Sequence, residues 1–284
     1  MWCVAKLDQE YIDKMEDVLK IYEKPLSEQH PVVCVDEKPV VLHADTRSPA
    51  PMQPGQIGRR DYEYKRCGTA NVFCGIEPKA GMHFTKVTPT RTSPEFADFI
   101  LEIAEHYPRA DTIHLVLDNL STHSRKALVD RFGEQAGGWL WARFTLHYTP
   151  KHGSWLNQAE IEIGLFSRQC LGKRRIGEIV NLRRQAKAWN RRANSDRITI
   201  RWKFTRKQAR RKMNYSFTRS RYYNLYGDRS RRDFRKRHSQ LHGQRRDLYT
   251  STPPCSQHLI YGDDYNRGYG SGRQCTDQQL RLEI

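Results

Sequence analysis

The stretch TIHLVLDN, Thr112 to Asn119, decides how the chain is read. Its centre has the composition of a buried strand. It closes on Asp118 and turns polar at once with NLSTH, so the carboxylate falls at a strand exit, where open α/β sheets build their sites. Just upstream, SPEFADFILEIAEHY sets Phe96, Phe99, Ile100 and Ile103 on one face behind a Ser93 cap and Pro94 at the first helical position, which predicts a helix. Downstream, SRKALVDRF predicts a short helix, ARFTLHYTP a strand, and Ser154 the cap of a further helix running to about Leu171.

The N-terminal part extends the same alternation. Leu7, Tyr11, Met15, Val18, Leu19 and Tyr22 stand near helical spacing and end before Pro25, predicting one amphipathic helix. PVVCVDEKP is a compact apolar run closed by prolines, a buried strand carrying Asp36, and a polar loop from Thr46 to Arg66 follows. Two β-rich runs around EPKAG predict a hairpin with strands at about 70 to 77 and 82 to 88. The order β, β-hairpin, α, β, α, β, α implies a three-layer α/β domain, its mixed central sheet flanked by helices, because helix-separated strands pair in parallel and a tight hairpin must pair antiparallel.

Charge is uneven along the 284 residues. Lys and Arg number 49 against 32 Asp and Glu, a net charge of +17, which favours a polyanionic partner over an acidic small substrate. Residues 201–284 hold 20 of the basic side chains and only 7 of the acidic ones. From Asn214 onward there are ten Leu, Ile or Phe and no Val, Ala, Met or Trp, a composition that predicts a disordered basic C-terminal tail rich in Arg and Tyr over 214–284. The expected organisation is thus an N-terminal helix over 1–30, the α/β domain over 31–195, a basic segment over 196–213 and the tail. The seven cysteines form no CxxC pair, so neither a zinc cluster nor a disulfide framework is expected. With no run of eighteen apolar residues and no secretory leader pattern, the expected location is cytoplasmic, without a membrane.

Three acids stand where such a fold concentrates charge: Asp36 on the first strand, Asp118 at the exit of the later one, and Glu160 on the helix after the last strand. A carboxylate on a buried strand is costly unless neutralised, and hard oxygen ligands of this kind suit Mg²⁺ or Mn²⁺. Glu162 competes with Glu160, but two residues apart on a helix is about 200° of rotation, so both cannot face one ion. Asn119, Ser121 and His123 follow the second acid and are candidates to orient water or phosphate; Lys38, His152 and Asn157 are candidates to touch DNA. The span Lys173 to Lys212 holds sixteen Lys or Arg interleaved with Trp189, Trp202 and Phe204, a pattern suited to the phosphate backbone, with Lys173, Arg174, Arg175, Arg183 and Arg184 as its first members.

The blocks VVCVDEKP, LVLDNLSTH and YTPKHGSWLNQAEIEIGLFSRQCL, in that order, resemble the three catalytic blocks of bacterial insertion-sequence transposases related to Tc/mariner elements, the DDE superfamily endonucleases. The resemblance runs from about Met1 to Met213. It implies an RNase H-like fold, a metal-binding catalytic triad of Asp36, Asp118 and Glu160, two Mg²⁺ or Mn²⁺ ions, and DNA cleavage followed by strand transfer. It prefers Glu160 to Glu162 because the acid falls three residues after Asn157. The helix-turn-helix modules with which such proteins begin are not in this sequence, so a separate recognition partner is expected alongside the transposon ends and target DNA, with a second copy of the chain as a further partner. The alternative is a catalytically inactive, basic nucleic-acid-binding remnant.

Overall fold

In a computed structural model of the chain, residues 7–120 and 122–216 are described. The tail expected over 214–284 therefore lies outside the described residues from 217 onward, as does Ser121. The elements belong to one unit, Met1–Tyr215. Helix α1 spans Gln9–Glu23; Asp8 caps it by accepting the Tyr11 N–H at 2.9 Å, and it buries Met15, Val18 and Leu19 completely. Strands follow as β1 (Val32–Asp45), β2 (Tyr64–Glu77) and β3 (Met82–Thr88), then helix α2 (Ser93–His106) and strand β4 (Ile113–Leu117). Helices α3 (Arg125–Phe132) and α4 (Glu134–Ala142) lead to strand β5 (Phe144–Tyr148), and α5 (Ala159–Phe166), α6 (Ile179–Asp196) and α7 (Arg206–Met213) close the unit.

The sheet order is β3-β2-β1-β4-β5. β1, β2 and β3 are antiparallel neighbours, whereas β4 runs parallel to β1 and β5 parallel to β4. One face carries α2, α3 and α4 over a core of Val33, Val35, Phe73, Phe96, Phe99, Ile100, Leu115 and Leu117. The other face carries α1, α5, α6 and α7 over two smaller clusters, one around Cys34, Val116, Met15 and Leu156, the other around Val72, Leu42, Phe166 and Trp189. Each fully buried Leu, Ile, Val or Phe contributes about 1.5–3 kcal/mol relative to exposure, so burial on both faces drives the layering. This is the RNase H-like arrangement.

Several elements differ from the sequence reading, each for a physical reason. β1 continues through Pro39 to Asp45. β4 pairs with it only from Val32 to Cys34, so beyond that point one edge of β1 is open and the missing proline N–H costs no ladder bond. With β1 long, β2 begins at Tyr64 and not near residue 70, which shortens the loop before it. The cap of α2 is Thr92, whose N–H meets Glu95 at 3.1 Å, so Ser93 is already helical. Helix α4 is an addition: Gly133 at φ 85° separates it from α3, and a Cβ on Gly137 would lie 2.4 Å from the Leu128 carbonyl oxygen, so the glycine that weakens the helical pattern is what lets the two helices touch. Ser154 does not cap α5. It opens a 3₁₀ turn, Ser154–Leu156; the chain breaks at Asn157 and Gln158, and α5 ends in a π turn, Ser167–Leu171.

The basic span from Lys173 to Lys212 also contributes to the packing. α6 buries Leu182, Ala186, Trp189 and Ala193 along one stripe. α7 buries Ala209 beneath α1 and pairs Arg210 with the buried Glu16 at 2.6 and 2.7 Å. Among the described residues no helix is long and apolar enough to cross a membrane, and Cys34, Cys67, Cys74 and Cys170 are free thiols.

Candidate active site

Alternation along a strand decides where the acids point. On β1, Val33 and Val35 face the α2 side and Cys34 faces the α1 and α5 side, so Asp36 shares the face of Cys34 and Glu37 shares that of Val35. On β4, Leu115 and Leu117 face α2 and Val116 faces α1, which gives Asp118 the side of Asp36. Cys34 is paired with Val116. Two residues on in each strand, Asp36 and Asp118 stand on either side of the opening where β1 and β4 part.

Glu160 is brought to this opening by Asn157. The Asn157 amide donates to the Val35 carbonyl at 2.9 Å, and its side-chain oxygen accepts the Ala159 N–H at 3.2 Å. The first turn of α5 is thereby fastened to β1 beside Asp36. Glu160 is exposed on the outer side of that turn. Glu162 points the other way: it is wholly buried, with its oxygens 2.9 and 3.0 Å from Nδ1 of the equally buried His83. Its surroundings are a core ion pair.

The electrostatics of Asp36 register both of the other acids. Burial pushes the Asp36 carboxyl up to about 7, partly offset by the Glu37 N–H that it accepts at 2.8 Å, and the charges of Glu160, Glu37 and Asp118 raise it further. Asp118, with 43 % of its side chain exposed, moves in the opposite direction. Burial opposes its ionisation, but His123 Nδ1 at 2.8 Å and the Leu120 N–H at 3.1 Å outweigh that and hold the carboxyl below the usual range. His123 has 1 % of its side chain exposed; burial disfavours its charge, yet Asp118 and Glu37 raise it to about 9. Two neighbouring carboxyls driven apart in this way mark a candidate functional site.

The donor set suits a hard divalent cation. Asp36, Asp118 and Glu160 supply only oxygens, and their mutual repulsion is of the kind a cation relieves. Among the described residues no three His, Cys, Asp or Glu side chains converge into a ready-made cage. One oxygen of Asp36 is engaged by the Glu37 N–H and one of Asp118 lies against His123 and accepts the Leu120 N–H, so each aspartate is oriented by its own support.

The other candidates divide. Lys38 is half-buried on the face of Asp36, and His152 is exposed in the turn after β5 at φ 63°. Asn119 is used internally, its amide donating to the Thr149 carbonyl at 2.7 Å. Asn157 is 2 % exposed, which removes it from contact with DNA. Arg175 is also turned inward: its guanidinium meets Asp45 at 2.9 Å and the carbonyls of Glu63, Asp61 and Tyr62 at 2.7, 2.8 and 3.1 Å, staking down the loop between β1 and β2. Lys173, Arg174, Arg183 and Arg184 are exposed, although Arg174 reaches Gln185 and Arg183 donates to the Val87 carbonyl at 3.2 Å. Glu37 and Arg91, 3.7 Å apart, belong to the surroundings of Asp118 and were not singled out from the sequence. Strand alternation would have shown that the two acids of VDEK face opposite sides.

An RNase H-like sheet with aspartates where its central parallel strands part defines the class. Residues 31–183 match the family model described as DDE superfamily endonuclease; this is more than half of the chain, and the chain belongs to that family. Solved structures similar to it include the Mos1 mariner paired-end complex with Mn, at 12 % identity and a TM-score of 0.45, covering 68 % of this chain and 58 % of that chain. A pre-cleavage Mos1 transpososome matches at 13 % identity and 0.48, with 77 % and 67 % covered, and the Mos1 strand transfer complex at 13 % and 0.41, with 69 % and 64 % covered. The chain thus spans less than two thirds of the length of the first of these structures. A comparison with curated proteins finds no match.

Proposed function

We propose that this chain carries the catalytic domain of an insertion-sequence transposase, which cleaves DNA strands and transfers the freed ends with Asp36, Asp118 and Glu160 as its metal-binding acids. The observation that supports this reading is the coupling of three carboxylates from β1, the exit of β4 and the start of α5, with Asp36 raised to about 7 by burial and by its acidic neighbours. Held there, two Mg²⁺ or Mn²⁺ ions would supply activation of the attacking oxygen and stabilisation of the leaving one in an in-line displacement at phosphorus.

The residues of the chain do the rest. β1 and β4 fix two carboxylates at one opening, Asn157 holds the turn that presents the third, and His123 keeps Asp118 ionised. No residue is asked to form a covalent intermediate. The exposed Lys173, Arg174, Arg183 and Arg184 provide backbone contacts that orient the DNA without reading its sequence. The domain is assigned to about 31–195, acting on DNA in the cytoplasm.

The test is nicking of supercoiled plasmid by the purified chain at graded Mg²⁺ concentrations. Nicking that requires the metal and is lost in Asp118→Asn supports the enzyme. Salt-sensitive DNA binding that ignores both metal and substitution, with no nicking, would make the chain a nucleic-acid-binding remnant instead.

A further inference from the structure

Glu37 poses a problem that the proposed chemistry does not absorb. It follows Asp36 directly, yet it faces the opposite side of the sheet and only 4 % of its side chain is exposed. A carboxylate buried to this degree is costly unless something nearby compensates it. The compensating groups are Arg91, with Nη1 3.7 Å from Oε1, and His123, with Nε2 3.5 Å from Oε2. The other nitrogen of the same imidazole lies 2.8 Å from Asp118 Oδ1. The ring is packed on Phe96, with centroids 4.4 Å apart. Its backbone is held as well, because the His123 N–H donates to the Leu120 carbonyl at 2.9 Å and the Tyr148 hydroxyl to the His123 carbonyl at 3.3 Å. The imidazole therefore has a carboxylate close to each ring nitrogen, in neither case as an aligned hydrogen bond, and is held on one flat face and through its main chain.

We propose that Glu37 and His123 form a positioning pair that sets the rotation of the Asp118 carboxylate for cation binding. The inference rests on the reading of Asp118 as a metal ligand. With Glu37 beside the Nε2 edge, the Nδ1 edge is left to Asp118 as a close charge contact. Asp118 Oδ1 lies against the ring and accepts the Leu120 N–H at 3.1 Å, which fixes the carboxylate's rotation so that it would be able to hold a cation. Glu37 is thus an outer support acting through His123. Its neighbour Asp36 serves the opposite face of the same strand.

The experiment measures Mn²⁺ affinity of the DNA-free chain by electron paramagnetic resonance, alongside urea unfolding, for wild type, Glu37→Gln, His123→Ala, the double variant and Asp118→Asn. Supports of this kind change metal affinity about 10–100-fold. Glu37→Gln is expected to weaken Mn²⁺ binding at least tenfold while remaining folded, with its urea midpoint lowered by the loss of the buried charge pairs. The double variant should bind no more weakly than His123→Ala alone, because one residue acts through the other. If wild type binds Mn²⁺ and Glu37→Gln binds it equally well, the pair is merely structural and the inference fails, although the assignment of Asp118 stands. An additive loss in the double variant would make Glu37 an independent ligand and overturn it too. A wild-type chain with no Mn²⁺ affinity would remove the functional reading and this inference together. Should His123→Ala fail to fold, the isosteric Glu37→Gln still decides the matter.

Discussion

Replacing Asn157 by alanine tests how the third acid is held in place. The side chain is 2 % exposed and makes two hydrogen bonds, to the Val35 carbonyl at 2.9 Å and from the Ala159 N–H at 3.2 Å. Each bond is worth about 1 kcal/mol net, and each buried partner left unpaired costs about 1–3 kcal/mol. Asn157→Ala should therefore destabilise the domain by about 2–4 kcal/mol, less than the roughly 5–15 kcal/mol typical of a folded domain, so the variant should still fold. Urea unfolding reads the loss as a drop of about 1–2 M in midpoint for slopes of about 2 kcal/mol/M. Because the turn before Glu160 loses its tie to β1, Mn²⁺ affinity should fall in the same variant. An unchanged midpoint together with weaker DNA binding and a shallower salt dependence would refute the reasoning, since that is how a residue touching phosphate behaves.

Three further outcomes follow from the geometry. Glu160→Gln should abolish metal binding and leave unfolding almost untouched. Glu162→Gln, which breaks the buried pair with His83, should cost about 3 kcal/mol of stability; the reverse pattern would exchange their roles. The Asp36 carboxyl keeps its proton to about pH 7 when folded and ionises near 3.8 when unfolded, so the folded state binds more protons in between and metal-free stability should fall as pH rises from about 4 to 7, by at most about 4 kcal/mol. Asp36→Asn should flatten that slope in urea unfolding without added metal, and an unaltered slope would contradict the site's electrostatics. Arg175→Ala should speed proteolysis within residues 46–63 and leave the salt dependence of DNA binding unchanged; a slope reduced by about one unit would restore Arg175 as a phosphate contact.

The parts of the fold legible in the sequence are those where one local signal suffices. The unbroken apolar centre of β4, the turn residues between β2 and β3, and the spacing of Phe96, Phe99, Ile100 and Ile103 each specify an element without help from elsewhere. Pro39 misleads because a proline reads as a strand end, and only the pairing of β1 reveals that its edge is open there. Gly137 hides α4 in the same way: its use is a contact with Leu128 that no local pattern contains. Among the site residues, Asp36 and Asp118 were visible as acids on or leaving apolar strands. Asn157 and Arg175 were read as DNA contacts because their acceptors, the carbonyls of Val35, Asp61, Tyr62 and Glu63, are about 110–120 residues away. Glu37 went unnoticed because two adjacent acids look like a solvated turn until the pleat sends them to opposite sides.

The early parting of β1 and β4 has a further effect on access. The ladder between them ends at Cys34 and Val116, just short of both aspartates, so the acids stand at the mouth of a fork in the sheet. At the fork itself the Val35 carbonyl is taken by the Asn157 amide, so the edge beside Asp36 is closed by a side chain and not by a strand. Neither prong is loose: β1 stays paired with β2 as far as Asp45, and the end of β4 is tied to the chain after β5 by the Thr149 N–H on the Leu117 carbonyl.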